Sequence, residues 1–451
     1  MTQERRPSAP SDGIRPSWSR STRPLARHVV QPLQAFLDAE ASSSVLLLVA
    51  TVLGLLWANS PLGDSYRALW STDIALRAGR WSISNDLRGW VADGLMTLFF
   101  LVVALEVKRE LLTGELRERR RALLPVACAL GGMVVPVALY LVITAGSVSA
   151  RGFGIAMPTD VVFALAIVSL VPRTPPAVKA ITLALAIVDD LGSILLVAVA
   201  YSRALVLPAV LLAIGIVVLY GLLWRVQVRA TFVYIILGVA AWAALVPSGI
   251  PPTLAGVAVA FLTPATVFQR PSAVSREARR VADRVGDEAD EDAAEWLHLG
   301  RLSREAVSPL ARTEALLLPW SSYLVVPLFA LAFAGVDVSS DALAAATSDR
   351  LGLAILVSRV IGKPLGIVLA AWLALRLGAW LPAGVHRRHL VAIGAAAGIP
   401  FTVSLYIARL SLPVRLVAPA MTAILVAALI AGALGFAVLT ATAEQPGTPS
   451  G

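Results

Sequence analysis

The stretch Ala180-Ile181-Thr182-Leu183-Ala184-Leu185-Ala186-Ile187-Val188-Asp189-Asp190-Leu191-Gly192-Ser193-Ile194-Leu195-Leu196-Val197-Ala198-Val199-Ala200-Tyr201 decides the fold. Its 22 residues are apolar except for two adjacent carboxylates at the middle. A helix of that length crosses a bilayer, which puts both acids near the midplane. Each acid there costs about 2.5 to 3.5 kcal/mol on the insertion scale. Acids at such depth pair with a cation, carry protons or bind ions. Neighbours on a helix point about 100° apart, so Asp189 and Asp190 cannot share one task. One can face an ion cavity while the other meets a different partner.

Composition agrees with a chain built for lipid. Of 451 residues, 57% are hydrophobic and only 15% charged, where a soluble domain carries about 25%; the mean hydropathy is +0.77. The class is an all-α polytopic membrane protein. The lone cysteine, Cys128, rules out intrachain disulfides. The net charge of +9 could suggest nucleic acid, but in a membrane protein it reads as basic cytoplasmic loops, so no nucleic-acid partner is expected. Residues 1–42 are polar and basic and read as a disordered tail, with the first span acting as an uncleaved insertion signal.

Twelve apolar segments follow between residues 43 and 440, and residues 441–451 form a short tail. Even-numbered loops and the N-terminal tail hold 27 of the 38 Arg and Lys, and the opposite loops hold nine. That bias places both termini in the cytoplasm. The first outer loop, 72–84, alternates apolar residues around Ala78-Gly79 and reads as a β-hairpin. Its edge could pair with a second copy, giving a homodimer, or it could be a plain surface ribbon. The charged cytoplasmic loop 267–315 is expected to be a linker with a short amphipathic helix.

Segment four, 154–172, contains Met157-Pro158-Thr159-Asp160 ahead of an apolar run from Val161 to Leu170. Pro158 interrupts the helix. Thr159 and Asp160 then begin a half-helix as ordinary N-cap residues, but at a depth where irregular backbone needs a cavity or protein cover. Segment eleven, 389–408, is interrupted likewise at Gly394-Ala395-Ala396-Ala397-Gly398-Ile399-Pro400-Phe401-Thr402. Paired interruptions mark an inverted-repeat transporter with its site between them, segments 3–5 mirroring 10–12. Segment ten, 351–375, carries Lys363 about twelve residues into the span. Such a lysine needs a carboxylate partner or loses its proton, and Asp189 or Asp190 is the candidate partner. Arg359, one turn nearer the outer face, reads as snorkelling. In segment two, Asp93 lies at one end; Glu106, Lys108, Arg109 and Glu110 lie at the cytoplasmic end. Glu106 and Glu110 are spaced i, i+4 on one face, as the rim of an acidic funnel or as a simple stop signal. Carboxylates, a threonine hydroxyl and backbone carbonyls are hard oxygen ligands, suited to a hard cation rather than to zinc or copper. Protons are the second substrate.

Across residues 40 to 440 the chain resembles the NhaA sodium/proton antiporters. The resemblance rests on Asp93-Gly94-Leu95-Met96 through Leu105-Glu106-Val107-Lys108-Arg109-Glu110-Leu111, on Pro158-Thr159-Asp160 with Phe163-Ala164-Leu165, on Ala186-Ile187-Val188-Asp189-Asp190-Leu191-Gly192, on Thr253-Leu254-Ala255-Gly256, on Pro327-Leu328-Phe329-Ala330 and on Gly362-Lys363-Pro364-Leu365-Gly366. It implies twelve spans with two crossing broken helices, a dimer through an outer hairpin, and electrogenic exchange of internal Na⁺ or Li⁺ for external protons across a bacterial inner membrane. It assigns Asp190 as main cation ligand, Asp189 as partner of Lys363, Thr159 and Asp160 to the crossing, and Asp93 and Glu106 to acidic positions near the site and at the cytoplasmic funnel. No cofactor and no enzymatic activity are implied. The family commonly has histidines where this chain has Pro251 and Leu318, so pH activation is expected to be shifted or set by the carboxylates and Lys363. Two alternatives from the residues themselves are a Na⁺-coupled symporter of an organic solute and a membrane-embedded hydrolase using the Asp pair. The hydrolase is disfavoured because adjacent acids on one helix cannot face each other.

Overall fold

The computed structural model describes residues 42–78, 81–114, 117–171, 174–202, 205–284, 293–382 and 384–443. The basic N-terminal tail and the last residues of the C-terminal tail therefore lie outside the described residues. Among the described residues, seven helices are long and apolar enough to cross a membrane, and up to ten if each of three bent pairs counts as one span. The first bent pair, Ser42–Ala58 and Gly63–Trp70, folds back by 113°. Thr231–Leu245 is a shorter apolar helix, and Leu254–Leu262 is shorter still.

The outer hairpin forms as its alternation predicts. Strands β1 (Asp73–Ala78) and β2 (Trp81–Asp86) pair antiparallel, with Ile74 opposite Asn85 and Leu76 opposite Ile83. Loop 267–315 departs from expectation. It contains two helices, Pro271–Arg284 and Ala293–Glu305, where one short helix was expected. An ion pair from Arg229 to Glu305 ties the second of these to the turn after the helix Leu207–Arg225. That pair links loops distant in sequence, which local periodicity does not report.

Lipid-facing and protein-facing helices separate clearly. Leu211, Val218, Phe232 and Ile235 are exposed on helices 207–225 and 231–245, an arrangement that water would disfavour and a bilayer accommodates. The inner helices enclose two apolar clusters. One gathers Phe100, Ile155, Phe329, Tyr406 and Ile424; the other gathers Cys128, Leu185, Ile367, Ile393 and Leu439. Both broken spans pass from one cluster to the other. Ala156 and Phe401 belong to the first; Val168 and Ala397 belong to the second. The breaks therefore fall where the clusters meet.

Three local features place the chemistry there. The first broken span is a 3₁₀ segment, Val148–Ala156, followed at 45° by the helix Val161–Leu170. The second is Arg387–Ala397 followed at 50° by Thr402–Ser411. The span Arg350–Arg376 opens into a π-turn at Val357–Gly362, just before Lys363. Pro364 has no N–H for the carbonyl four residues back, and widening of the helix relieves that clash. The same span lies very close to Arg119–Ile143 and to the second broken span. A Cβ on Gly132 would stand 2.9 Å from Ile367 Cγ1, and one on Gly394 would stand 2.9 Å from Pro364 Cα.

Candidate ion-binding site

The Asp-pair helix runs Pro176–Ala200, with Pro at its first turn where no N–H is needed. Its far end is held by Tyr201, whose hydroxyl accepts from the Gly154 N–H at 2.9 Å. Further along the helix, Asp189 lies level with the break in the first broken span, within hydrogen-bond distance of Thr159. Asp189 is fully buried and Asp190 is 6% exposed.

At the break, Asp160 joins both interrupted helices. Its backbone N–H donates to Ile399 O at 3.1 Å. Its Oδ1 accepts from the Phe163 N–H at 3.3 Å. Its Oδ2 accepts from the Thr402 N–H at 3.1 Å and from the Thr402 hydroxyl at 2.9 Å. One carboxylate thus caps two half-helix N-termini, each carrying partial positive charge. Thr159 Oγ1 lies 2.7 Å from Asp189 Oδ2 and 3.0 Å from Ala397 O; its single proton serves one of them at a time.

Lys363 is also fully buried. Its Nζ donates to Asp189 Oδ2 at 2.5 Å and to Met157 O at 2.6 Å. The residues by themselves left open which acid pairs with this lysine, the family resemblance implied Asp189, and in the structure Asp189 is the acid in contact. The remaining oxygens matter for cargo. Asp189 Oδ1 and Asp190 Oδ1 are buried without a hydrogen-bond partner among the described residues. Carboxylate, hydroxyl and backbone carbonyl oxygens are hard donors, and these are the oxygen types gathered here.

Five of the sequence-predicted residues, Thr159, Asp160, Asp189, Asp190 and Lys363, therefore converge. Glu106 lies within electrostatic reach of Asp190, in the C-terminal half of the span Leu87–Thr113. Glu110, half-buried, follows one turn further out. Asp93 stands about 20 Å from Glu106 along the same helix, at 1.5 Å per residue. Its carboxylate accepts from Asn85 Nδ2 at 3.1 Å, beside the hairpin, and its carbonyl accepts from the Trp242 indole at 2.7 Å. It does not join the other five.

Sequence reasoning missed three participants. Thr402 supplies the second cap contact. Glu314, 4% exposed, pairs with Arg109 at 2.7 Å, and Arg109 lies 4.0 Å from Glu106. A lone acid in the first turns of an apolar span is a signal that could have found Glu314. Arg359 was expected to snorkel, but it is fully buried, and its Nη1 donates to Ala156 O at 2.8 Å.

Buried carboxylates and a lysine gathered at the breaks of two interrupted helices, in a polytopic helical protein, are the arrangement of an ion-coupled membrane transporter. Comparison with known proteins makes this specific. The model of the family described as Na⁺/H⁺ antiporter 1 matches residues 34–439. The chain is 42% identical over 398 residues to Na(+)/H(+) antiporter NhaA 2 of Sorangium cellulosum (strain So ce56), covering 86% of this chain and 85% of that one. It is 41% identical over 437 residues to Na(+)/H(+) antiporter NhaA 2 of Myxococcus xanthus (strain DK1622), covering 94% and 92%. It is 40% identical over 424 residues to Na(+)/H(+) antiporter NhaA of Oleidesulfovibrio alaskensis (strain ATCC BAA-1058 / DSM 17464 / G20), covering 91% and 94%. The chain belongs to the NhaA family of Na⁺/H⁺ antiporters. That membership favours antiport over the solute-symport alternative.

Proposed function

We propose that this protein exports Na⁺ or Li⁺ in electrogenic exchange for external protons, serving intracellular pH and sodium homeostasis, with cation and proton competing at the Asp189–Asp190 pair. The observation that carries the reading is the buried Asp189–Lys363 contact, with Asp189 Oδ1 and Asp190 Oδ1 left without a hydrogen-bond partner among the described residues. In the cation-free state Lys363 neutralises Asp189. A cation arriving at Asp190 draws on Asp189 and the Thr159 hydroxyl, and displaces the ammonium group. Asp160 keeps both half-helix N-termini neutralised throughout, so the breaks hold their geometry while the site changes occupant. Glu106, Glu110 and Glu314 with Arg109 form the cytoplasmic approach, and Asp93 is accessory at the opposite end.

The same reading has twelve spans arranged as inverted repeats. The short helices Thr231–Leu245 and Leu254–Leu262 each count as a span, and the two broken spans are mirror partners. Close packing of Arg119–Ile143 on Arg350–Arg376 supports this pairing, because those helices are equivalents under the repeat. The protein resides in the inner membrane with both termini cytoplasmic, surrounded by lipid. It forms a homodimer through the edge of β1 and β2.

The test uses everted vesicles from cells lacking their own antiporters. An acid-inside gradient is formed and a pH-sensitive dye is followed after addition of Na⁺, Li⁺, K⁺ or choline. Dissipation by Na⁺ or Li⁺ alone, abolished in Asp190→Asn, is expected. A silent protein at every pH from mildly acid to alkaline, with insertion verified, overturns the proposal.

A further inference from the structure

The π-turn Val357–Gly362 places two cations on one face of the span Arg350–Arg376, four residues apart. Lys363 donates to Met157 O and Arg359 donates to Ala156 O. Consecutive carbonyls at the end of the 3₁₀ half of the first broken span therefore each receive a positive charge. Helix C-terminal ends carry partial negative charge, so this is the favourable location for both. One cation suffices to cap such an end, which leaves the second unexplained. Arg359 is also unusual in what it leaves unpaired. It is fully buried, and its Nε and Nη2 have no partner among the described residues. A buried unpaired guanidinium N–H is costly. Asp189 and Asp160 lie within its electrostatic reach.

Counting charge explains why such a group is useful. The site holds three buried carboxylates, Asp160, Asp189 and Asp190, against Lys363 and Arg359. With every group ionised the constellation carries one net negative charge, which a single monovalent cation neutralises. Without Arg359 it would carry two. Arginine keeps its charge at any pH a cell meets, so its contribution persists after Lys363 has been displaced by cargo.

Building on the site assignment above, we propose that Arg359 is a positioning residue that sets cation affinity: it anchors the Ala156 end of the broken helix and supplies a permanent charge that weakens cation binding at the aspartate pair. Arg359 does not touch the cargo; it acts through Asp189 and through the helix end. Its removal tightens cation binding and slows release. By Coulomb's law, a unit charge about 10 Å away at an effective dielectric of about 20 corresponds to somewhat more than a tenfold change in affinity.

The test compares wild type, Arg359→Met, Arg359→Lys and Asp190→Asn as full chains in proteoliposomes, measuring half-saturating Na⁺ and maximal rate. Arg359→Met is expected to lower half-saturating Na⁺ about tenfold and to reduce the maximal rate, while Arg359→Lys stays near wild type. A purely structural residue would lower the rate or the yield and leave half-saturation unmoved. Unchanged half-saturation in Arg359→Met overturns the proposal, and so does an equal shift in Arg359→Lys. If Arg359→Met does not insert, Arg359→Gln replaces it under the same criterion. If neither neutral variant inserts, Na⁺ binding to Arg359→Lys decides: a wild-type constant supports the role of charge and a shifted one overturns it. Should Asp190→Asn retain wild-type Na⁺ saturation, the site assignment itself fails, independently of Arg359.

Discussion

Replacing Asp160 tests whether one carboxylate does hold two helices. Its two oxygens divide the work: Oδ1 takes the Phe163 N–H, and Oδ2 takes the N–H and hydroxyl of Thr402. Asp160→Ala removes both caps. An N-cap side chain is worth about 0.5–2 kcal/mol, so two give about 1–4 kcal/mol, and burial without water places the cost toward the upper end. Asp160→Asn is the sharper probe. Asparagine has a single acceptor oxygen, and its amide donates only. Whichever way it turns, one half-helix N-terminus faces N–H groups instead of an acceptor. Asparagine is therefore expected to recover at most half of the alanine loss. The assay is thermal aggregation of the detergent-solubilised protein, with Na⁺ transport measured in parallel on vesicles. Asparagine as stable and as active as aspartate would refute the double-cap reasoning. Asparagine no better than alanine would show that charge on the carboxylate, rather than its two acceptors, holds the crossing.

Other consequences follow from the same geometry. Lys363→Met leaves Asp189 buried without its cation and is expected to cost about 3–5 kcal/mol; adding Asp189→Asn to the same chain should restore most of it. A double-mutant cycle on thermal stability checks this, and additive losses would contradict the direct contact. Gly394→Val places branched atoms against Pro364 Cα, where even a Cβ would stand 2.9 Å away. Since the obstacle is backbone, folded yield should fall sharply; normal yield and transport would mean the two helices part more easily than their packing shows. Glu314→Gln keeps the size but loses charge opposite Arg109. It is expected to raise half-saturating Na⁺ from the cytoplasmic side if that cluster lies on the approach path. Unchanged saturation would confine Glu314 to a structural role.

Much of this arrangement was legible in the chain. The apolar run around Asp189-Asp190, Pro158 ahead of Thr159, the glycines and Pro400 of the second break, and the alternation in 72–84 each announced an element that the structure contains. These signals are local. Proline removes a donor wherever it stands, and strand alternation follows from the period of two. Lys363 required a carboxylate because a buried cation requires one anywhere. What the chain left undecided was which carboxylate it meets, and that depends on how far the Asp-pair helix is shifted against the π-turn. In the structure the acid in contact is Asp189.

The residues whose roles came only with the tertiary structure share a physical reason. Arg359 reads as a snorkelling side chain when its helix is considered alone, because its long stem can reach water. The neighbouring half-helix blocks that route and offers Ala156 O instead. Thr402 is an unremarked hydroxyl until Asp160 arrives from a segment 242 residues away. Glu314 is a stray acid until Arg109 approaches it from another span. By itself the sequence determined the membrane class, the two interruptions and the acids at mid-depth, since hydrophobic length and backbone sterics act along the chain. The tertiary structure alone decided the partner of each charge, since pairing in a low-dielectric interior depends on distances between segments that periodicity does not encode.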